Sequence, residues 1–171
     1  MTKPLVITFV GDDRPGIVES ISKIIVQHDG EWIESRLANL SGKFAGVLRA
    51  NIPEDNCDDF TDALKSSAKD LNINIEQVDK AQSSEGHIQC YKLELVGQDQ
   101  PGIIHKISSV LVNNGATVED LESEVTEASM SGEKLFKANI TLCLAEGYSA
   151  DKLSEVLEDL ANELIVDIEL G

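Results

Sequence analysis

The sequence predicts an α+β fold made of two βαββαβ units, each a four-stranded antiparallel sheet with two helices on one face. Three observations lead to this fold. GDDRPGIVESISKIIV (11–26) recurs without a gap as GQDQPGIIHKISSVLV (97–112), and RANIP (49–53) recurs as KANIT (137–141). Short β-rich runs and helical stripes also follow one another in the same order in both halves. A duplicated, ferredoxin-like unit of this order explains all three.

The first unit begins with a predicted strand, Leu5–Val10, because this β-rich run lies between Pro4 and Gly11. Apolar residues at helical spacing after Pro15 predict a helix that ends before Gly30. The later elements are a hairpin of Trp32–Leu40 and Phe44–Ile52, a helix carrying Phe60, Ala63, Leu64 and Leu71, and a strand over Asn72–Val78.

The second unit repeats this order, and a polar, Ser- and Gly-containing stretch separates the two. We therefore expect module 1 at residues 1–80, a linker at 81–87 and module 2 at 88–171. The predicted elements of module 2 are a strand over Ile88–Val96, a helix over Pro101–Asn114, a hairpin of Thr117–Thr126 and Leu135–Leu144, a helix carrying Leu153, Val156, Leu157, Leu160 and Leu164, and a strand over Ile165–Leu170.

The balance of charge limits the partners of this chain. It carries 31 acidic and 14 basic residues, a formal net charge of -17. Such a surface repels phosphate backbones and anionic lipids, so we expect no direct nucleic acid and no membrane among its partners. Binding to DNA through a partner protein stays open.

Cysteine usage and the apolar runs predict a cytoplasmic protein. Cys57, Cys90 and Cys143 show no metal-ligand spacing, and an odd, sparse count is typical of reduced thiols in the cytosol. No apolar run approaches the roughly 20 residues of a membrane span, and the N-terminus lacks the pattern of a signal peptide.

The repeated loop before the first helix of each unit is the candidate ligand site. The first N–H groups of a helix lack intrahelical partners and attract small anions such as a carboxylate, and a glycine there lets a ligand approach the backbone. The acidic residue of each loop either caps the helix or meets a ligand ammonium, and a purely structural turn is the alternative reading. The candidate residues are Asp13, Arg14, Pro15, Gly16 and Ile17, and in the second copy Asp99, Gln100, Pro101, Gly102 and Ile103.

Phosphate binding and catalysis are not predicted. Gly11 and Gly16 have P-loop spacing, but Ile17 and Val18 follow where a Lys and a Ser or Thr are needed. The three histidines do not recur between the units, and no motif of nucleophilic or metal chemistry is present. We therefore predict no catalytic residue, no metal and no cofactor.

A strand followed by DRPGIV at the start of a helix, then a glycine turn and a β-hairpin, resembles the ACT domain, a small regulatory module that binds amino acids. Each half of the chain resembles one such domain, so the resemblance covers nearly the whole chain. LVITFVGDDRPGIV with IESRLANLSGKF is similar, more narrowly, to tandem-ACT repressors of the glycine cleavage system. This resemblance implies that a small amino acid, with glycine expected, binds between paired modules against the two candidate loops. Gln100 in place of Arg14 implies that the two sites are unequal.

The resemblance also implies how such a protein acts. It would be a regulator without enzyme activity that represses the glycine cleavage system by binding a transcription activator protein rather than DNA. ACT modules imply a homo-oligomer as well. Two alternatives stay open: a regulatory subunit acting on a metabolic enzyme, and an assembly module that has lost ligand binding.

Overall fold

A computed structural model of the protein describes residues 1–79 and 87–171 of the chain. The chain divides into two compact units, 1–83 and 84–171, which contain module 1 and module 2. The predicted linker, 81–87, lies outside the described residues except for His87, with which a strand begins. Its boundaries stay a prediction.

Module 1 has the predicted element order. Its sheet is antiparallel with the strand order β2-β3-β1-β4, so β1 and β3 are central and β2 and β4 are edges. A single 3-10 turn, Glu54–Asn56, leads into the second helix. The elements are β1 (Thr2–Asp12), α1 (Ile17–Gln27), β2 (Glu31–Leu40), β3 (Lys43–Pro53), α2 (Cys57–Ser67) and β4 (Leu71–Gln77).

Module 2 repeats this topology with the strand order β6-β7-β5-β8. Its central strands are β5 and β7, which pair antiparallel along nearly their whole length. The elements are β5 (His87–Gln98), α3 (Ile103–Asn113), β6 (Ala116–Glu127), β7 (Lys134–Ala145), α4 (Ala150–Leu164) and β8 (Val166–Leu170).

Each module buries one face of its sheet under its two helices. Alternate residues of the central strands point to this face, as the two-residue period of a strand requires. Ile7 of β1 packs in one cluster with Ile21 of α1 and Leu64 of α2. Leu93 of β5 packs with Ile107 and Leu157 in the same way. No polar or charged side chain is buried in the described ranges, and the predicted α+β fold of two four-stranded βαββαβ modules is confirmed.

Two apolar residues lie in different elements from those predicted. Leu71 continues the helical spacing of α2 but begins β4, where it pairs with Gly11. The sequence pattern predicts Ile165 in the last strand, but this residue ends α4 in the left-handed region (φ 56°) and is 85% exposed. Spacing alone does not distinguish a residue at the end of a helix from one at the start of a strand.

The prediction that all three cysteines are reduced is wrong for two of them. Cys90 and Cys143 form a disulfide between β5 and β7, with their Cα atoms 4.0 Å apart, whereas Cys57 is free. These two cysteines are 53 residues apart in sequence, and they meet because the β5–β7 register sets them directly opposite each other. That register is fixed by tertiary pairing and is not visible in cysteine spacing. No helix within 1–79 or 87–171 is long and apolar enough to cross a membrane.

Candidate functional site

The loop between β1 and α1 has the same backbone in both modules. Gly16 and Gly102 are the N-cap residues of α1 and α3, both in the left-handed region, with φ of 86° and 80°. Glycine takes this conformation without steric cost, whereas other residues are strained there. Neither helix N-terminus is capped by a side chain, so the N–H groups of its first turn are available to a ligand.

A second backbone contact fixes each loop against the neighbouring hairpin. The N–H of Asp13 donates to the carbonyl of Gly42, and the N–H of Asp99 donates to that of Lys134, each at 2.9 Å. Of the two roles that the sequence leaves open for these acids, helix capping is not observed, because glycines occupy the N-cap positions and no side chain caps either helix. The carboxylate of Asp13 instead accepts a hydrogen bond from the amide of Asn39.

Arg14 ties the loop of module 1 to the segment that follows α2. Its Nε donates to one carboxylate oxygen of Asp70, and its Nη2 donates to the other at 3.2 Å. The hydrogen bond from Arg14 holds the pKa of Asp70 below its usual value of 3.8, and the same bond raises the pKa of Arg14. About a third of the Arg14 side chain and half of the Asp70 side chain are exposed (35% and 50%), so the guanidinium still faces solvent.

Gln100 makes the corresponding contact in module 2 without charge. Its side-chain Nε2 donates to the main-chain carbonyl of Leu164, the last residue of α4, at 2.8 Å. Arg14 therefore ties its loop to the segment after α2, and Gln100 ties its loop to the last residue of α4. Only Arg14 brings a positive charge to the loop, which is the difference that the sequence predicted between the two sites.

A recess of about 540 Å³ lies beside the loop of module 1. The side chain of Phe44, which stacks on Phe9 with ring centroids 5.9 Å apart, contributes an apolar wall. The residues that line the recess are Asp13, Arg14, Gly16, Ile17, Val18, Glu19, Ser22 and Phe44. The recess is of the size of a small-molecule pocket and combines a cation, two carboxylates and helix N–H groups.

The predicted site residues fall into three groups in this geometry. Asp13, Arg14, Gly16 and Ile17 meet at the recess, whereas Pro15 is exposed beside it. Ile17 and its counterpart Ile103 are both buried and belong to the cores of their modules. In module 2, Pro101 and Gly102 are exposed, and Asp99 and Gln100 are half-buried.

Sequence reasoning missed four recess residues, Val18, Glu19, Ser22 and Phe44. Glu19 and Ser22 are visible in principle, because residues three or four positions apart share a helix face with the loop. Phe44 has no such signal, since it reaches the loop only through the β1–β3 register, in which it pairs with Gly11.

The groups at the recess are suited to binding a small charged molecule. The free thiol of Cys57 lies away from the recess and donates to the carbonyl of Pro53 at 3.5 Å. Burial raises its pKa, which keeps it a poorly reactive thiol. No group of three or more His, Cys, Asp or Glu side chains in the described part of the chain is arranged to hold a metal ion.

Comparison with known proteins identifies a matching family, a relative of part of the chain and structures similar to the whole fold. The family model of the ACT domain matches residues 3–77. The UPF0237 protein of Methanopyrus kandleri is 36% identical over 75 residues, which cover 43% of this chain and 77% of that protein.

Two crystal structures cover the whole chain. A protein of unknown function from Galdieria sulphuraria matches 100% of this chain and 98% of its own, with 26% identity and a TM-score of 0.88. A candidate glycine cleavage system transcriptional repressor matches 100% of this chain and 97% of its own, with 21% identity and a TM-score of 0.73. The chain therefore has the same tandem fold as these two structures.

Proposed function

Since this chain belongs to the ACT-domain family, we propose that it is an amino-acid-sensing regulator that acts through a protein partner. It binds a small amino acid at the β1–α1 loops, with the tighter site in module 1. The contact residues are Asp13, Arg14, Pro15, Gly16 and Ile17, and at the weaker site Asp99, Gln100, Pro101, Gly102 and Ile103.

The recess beside Gly16 is the observation that carries this proposal. Its uncapped helix N-terminus and the partly exposed side chain of Arg14 suit an α-carboxylate. The carboxylates of Asp13 and Glu19, on the same recess, suit an α-ammonium group. A zwitterion thus finds both of its charges complemented over a short distance.

We propose glycine as the effector, in line with the candidate glycine cleavage repressor that shares the fold. A thermal-shift screen of the purified protein against the twenty amino acids tests this. A ligand at about 100 times its dissociation constant adds about 2.7 kcal/mol to the free energy of unfolding. The midpoint then rises by roughly 5 to 10 °C for a chain of this length. A shift with glycine supports the proposal, and no shift with any amino acid contradicts it.

The partner that we propose is a transcription activator of the glycine cleavage system. This protein would bind the activator itself and would not bind DNA. The net charge of -17 supports this, because it opposes contact with phosphates. The purified protein should leave operator DNA unshifted in a gel, and should remove a shift that the activator produces. Glycine should restore that shift. A salt-sensitive shift by the protein alone would contradict the proposal.

We further propose a homo-oligomer without enzyme activity that acts in the cytoplasm with its activator, although the Cys90–Cys143 disulfide removes the cysteine argument for that compartment. The helix-free sheet face of module 1 supports self-association, because Val10 and Val47 lie on it and are 44% and 41% exposed. Light scattering should give a mass above that of one chain, and Val47→Lys should lower it. An unchanged monomeric mass in the wild type would contradict the oligomer.

A second candidate function, an assembly module without a ligand, has one observation in its favour. Both charged side chains of the loop already have partners in the protein, Arg14 with Asp70 and Asp13 with Asn39. Under that reading Arg14 only fixes the loop, as Gln100 does in module 2. The amino-acid screen separates the two functions, since an assembly module shows no shift.

A further inference from the structure

The edge strand β6 of module 2 is exposed on both of its faces. It pairs only with β7, and its residues from Thr117 to Val125 are exposed without exception. On an edge strand, every second N–H and C=O group points away from the sheet. Beyond the bulge between Val118 and Asp120, β6 therefore presents a row of free backbone donors and acceptors from Asp120 to Val125.

One face of β6 carries two apolar side chains, Leu121 and Val125, with Ser123 between them, and continues the core of module 2. Leu121 and Val125 lie opposite Ile140 and Phe136 of β7, both of which are buried under the helices. Leu121 and Val125 themselves remain 40% and 50% exposed. Burying them requires a further element beside β6, because the two helices of the module do not cover them.

The other face of β6 is acidic. Asp120, Glu122 and Glu124 alternate along it, opposite Thr141, Asn139 and Lys137 of β7. Within the described ranges, none of these three carboxylates is in an ion pair. Asp120 and Glu122 line a shallow recess of about 310 Å³ on the helix-free side of the sheet, together with Lys92, Glu94, Asn139 and Thr141.

The corresponding edge of module 1, β2, lacks the unpaired carboxylates and the exposed apolar pair that β6 carries. On β2, Glu34 is in an ion pair with Arg49 at 3.2 Å, and Arg36 adds a positive charge. Trp32 and Leu37 of β2 pack against the core. The unpaired acidic and apolar pattern is therefore specific to β6 and is not a property of the duplicated fold.

A second copy of β6 does not suit this edge, since antiparallel pairing would bring acidic side chains opposite one another. A strand that alternates basic and apolar residues satisfies all three features: the free backbone groups, the exposed Leu121 and Val125, and the carboxylates. We propose that β6 is a docking edge for an extended basic segment of a partner protein, which joins the module 2 sheet as a fifth strand. This inference rests on the proposed function, because it assigns the surface on which the regulated partner docks.

A defined peptide tests this edge without glycine or an activator, so its failure and that of the proposed function are separate results. The probe is a fluorescent eight-residue peptide that alternates Lys and Val, titrated with the full chain and followed by anisotropy. We expect saturable binding, and about tenfold weaker binding of a peptide with a central Pro, which removes one backbone donor and breaks the strand. Equal affinity for both peptides would overturn strand addition.

Two matched double variants locate the site. Glu122→Lys with Glu124→Lys reverses two charges on β6, and Glu155→Lys with Glu158→Lys makes the same change on the exposed face of α4. We expect the first to weaken binding about tenfold or more and the second to have little effect. Peptide binding should also slow hydrogen exchange at alternate amides of β6. Equal losses in both variants, or unchanged exchange on β6, would overturn the proposal.

Discussion

The two β1–α1 loops share a backbone and differ in the side chain that ties them down. Gly16 and Gly102 have nearly the same φ, and both loops donate one main-chain hydrogen bond of 2.9 Å to the neighbouring hairpin. Arg14, however, holds its loop through the carboxylate of Asp70, and Gln100 through a main-chain carbonyl. The duplicated backbone is therefore structural, and a functional difference between the modules depends on these side chains.

The modules differ also in how their sheets are stabilised. Module 2 has a disulfide between its central strands, and module 1 has none among its described residues. The only tryptophan of the chain, Trp32, lies in module 1, where it packs partly buried against the core. Its fluorescence reports the unfolding of module 1, whereas circular dichroism reports both modules, so the modules can be followed separately.

The largest expected effect comes from deleting equivalent core side chains, Ile7→Ala in module 1 and Leu93→Ala in module 2. Both residues are fully buried on the first strand of their module, and each truncation should cost about 2–5 kcal/mol. In denaturant titrations, Ile7→Ala should lower the midpoint of Trp32 fluorescence. Leu93→Ala should lower only the circular dichroism midpoint. If each variant shifts both signals equally, the modules unfold as one unit.

Reduction of the disulfide should destabilise module 2 alone. Opening a loop of 53 residues costs about 2–4 kcal/mol, chiefly through the entropy of the unfolded chain. With a dithiol reductant, the circular dichroism midpoint should fall and the fluorescence midpoint should stay. Cys57→Ser is the matched control and should leave both unchanged. Three titratable thiols in the unreduced, unfolded protein, instead of one, would show that the bond does not form.

The smallest expected effect is a difference in acid sensitivity between the Arg14–Asp70 contact of module 1 and the Gln100–Leu164 contact of module 2. The hydrogen bond from Arg14 lowers the pKa of Asp70, so this pair stabilises the fold above pH 3.8 and loses its contribution as the pH falls through the folded pKa. In the Asp70→Asn variant, the stability of module 1, followed by Trp32 fluorescence, should change less with pH between pH 5 and pH 2, a range of about three units. The tie from Gln100 to Leu164 has no titrating group. An unchanged pH profile in Asp70→Asn would mean that the exposed pair contributes nothing measurable.

The order of elements was predictable because strand runs, helical stripes and glycine turns are local signals. The predicted hairpin around Ser41 and Gly42, for example, is present, and both residues are at positive φ. The contacts that define the candidate site were not predictable, because Arg14 meets Asp70 and Gly11 meets Phe44 only through the tertiary register. The Cys90–Cys143 bond was missed for the same reason.

The most direct test of the central claim, that the module 1 loop binds the amino acid, is a calorimetric titration of glycine into the wild type, Gly16→Ala and Gly102→Ala. A Cβ at either position meets no atom within 4 Å, and the φ values of 86° and 80° impose the same strain. The two variants are therefore matched in backbone strain, and Gly16 lines the recess of module 1. We predict that Gly16→Ala weakens glycine binding about tenfold or more and that Gly102→Ala changes it by less than about twofold. Equal effects of the two variants, or no binding of glycine to the wild type, would contradict the account.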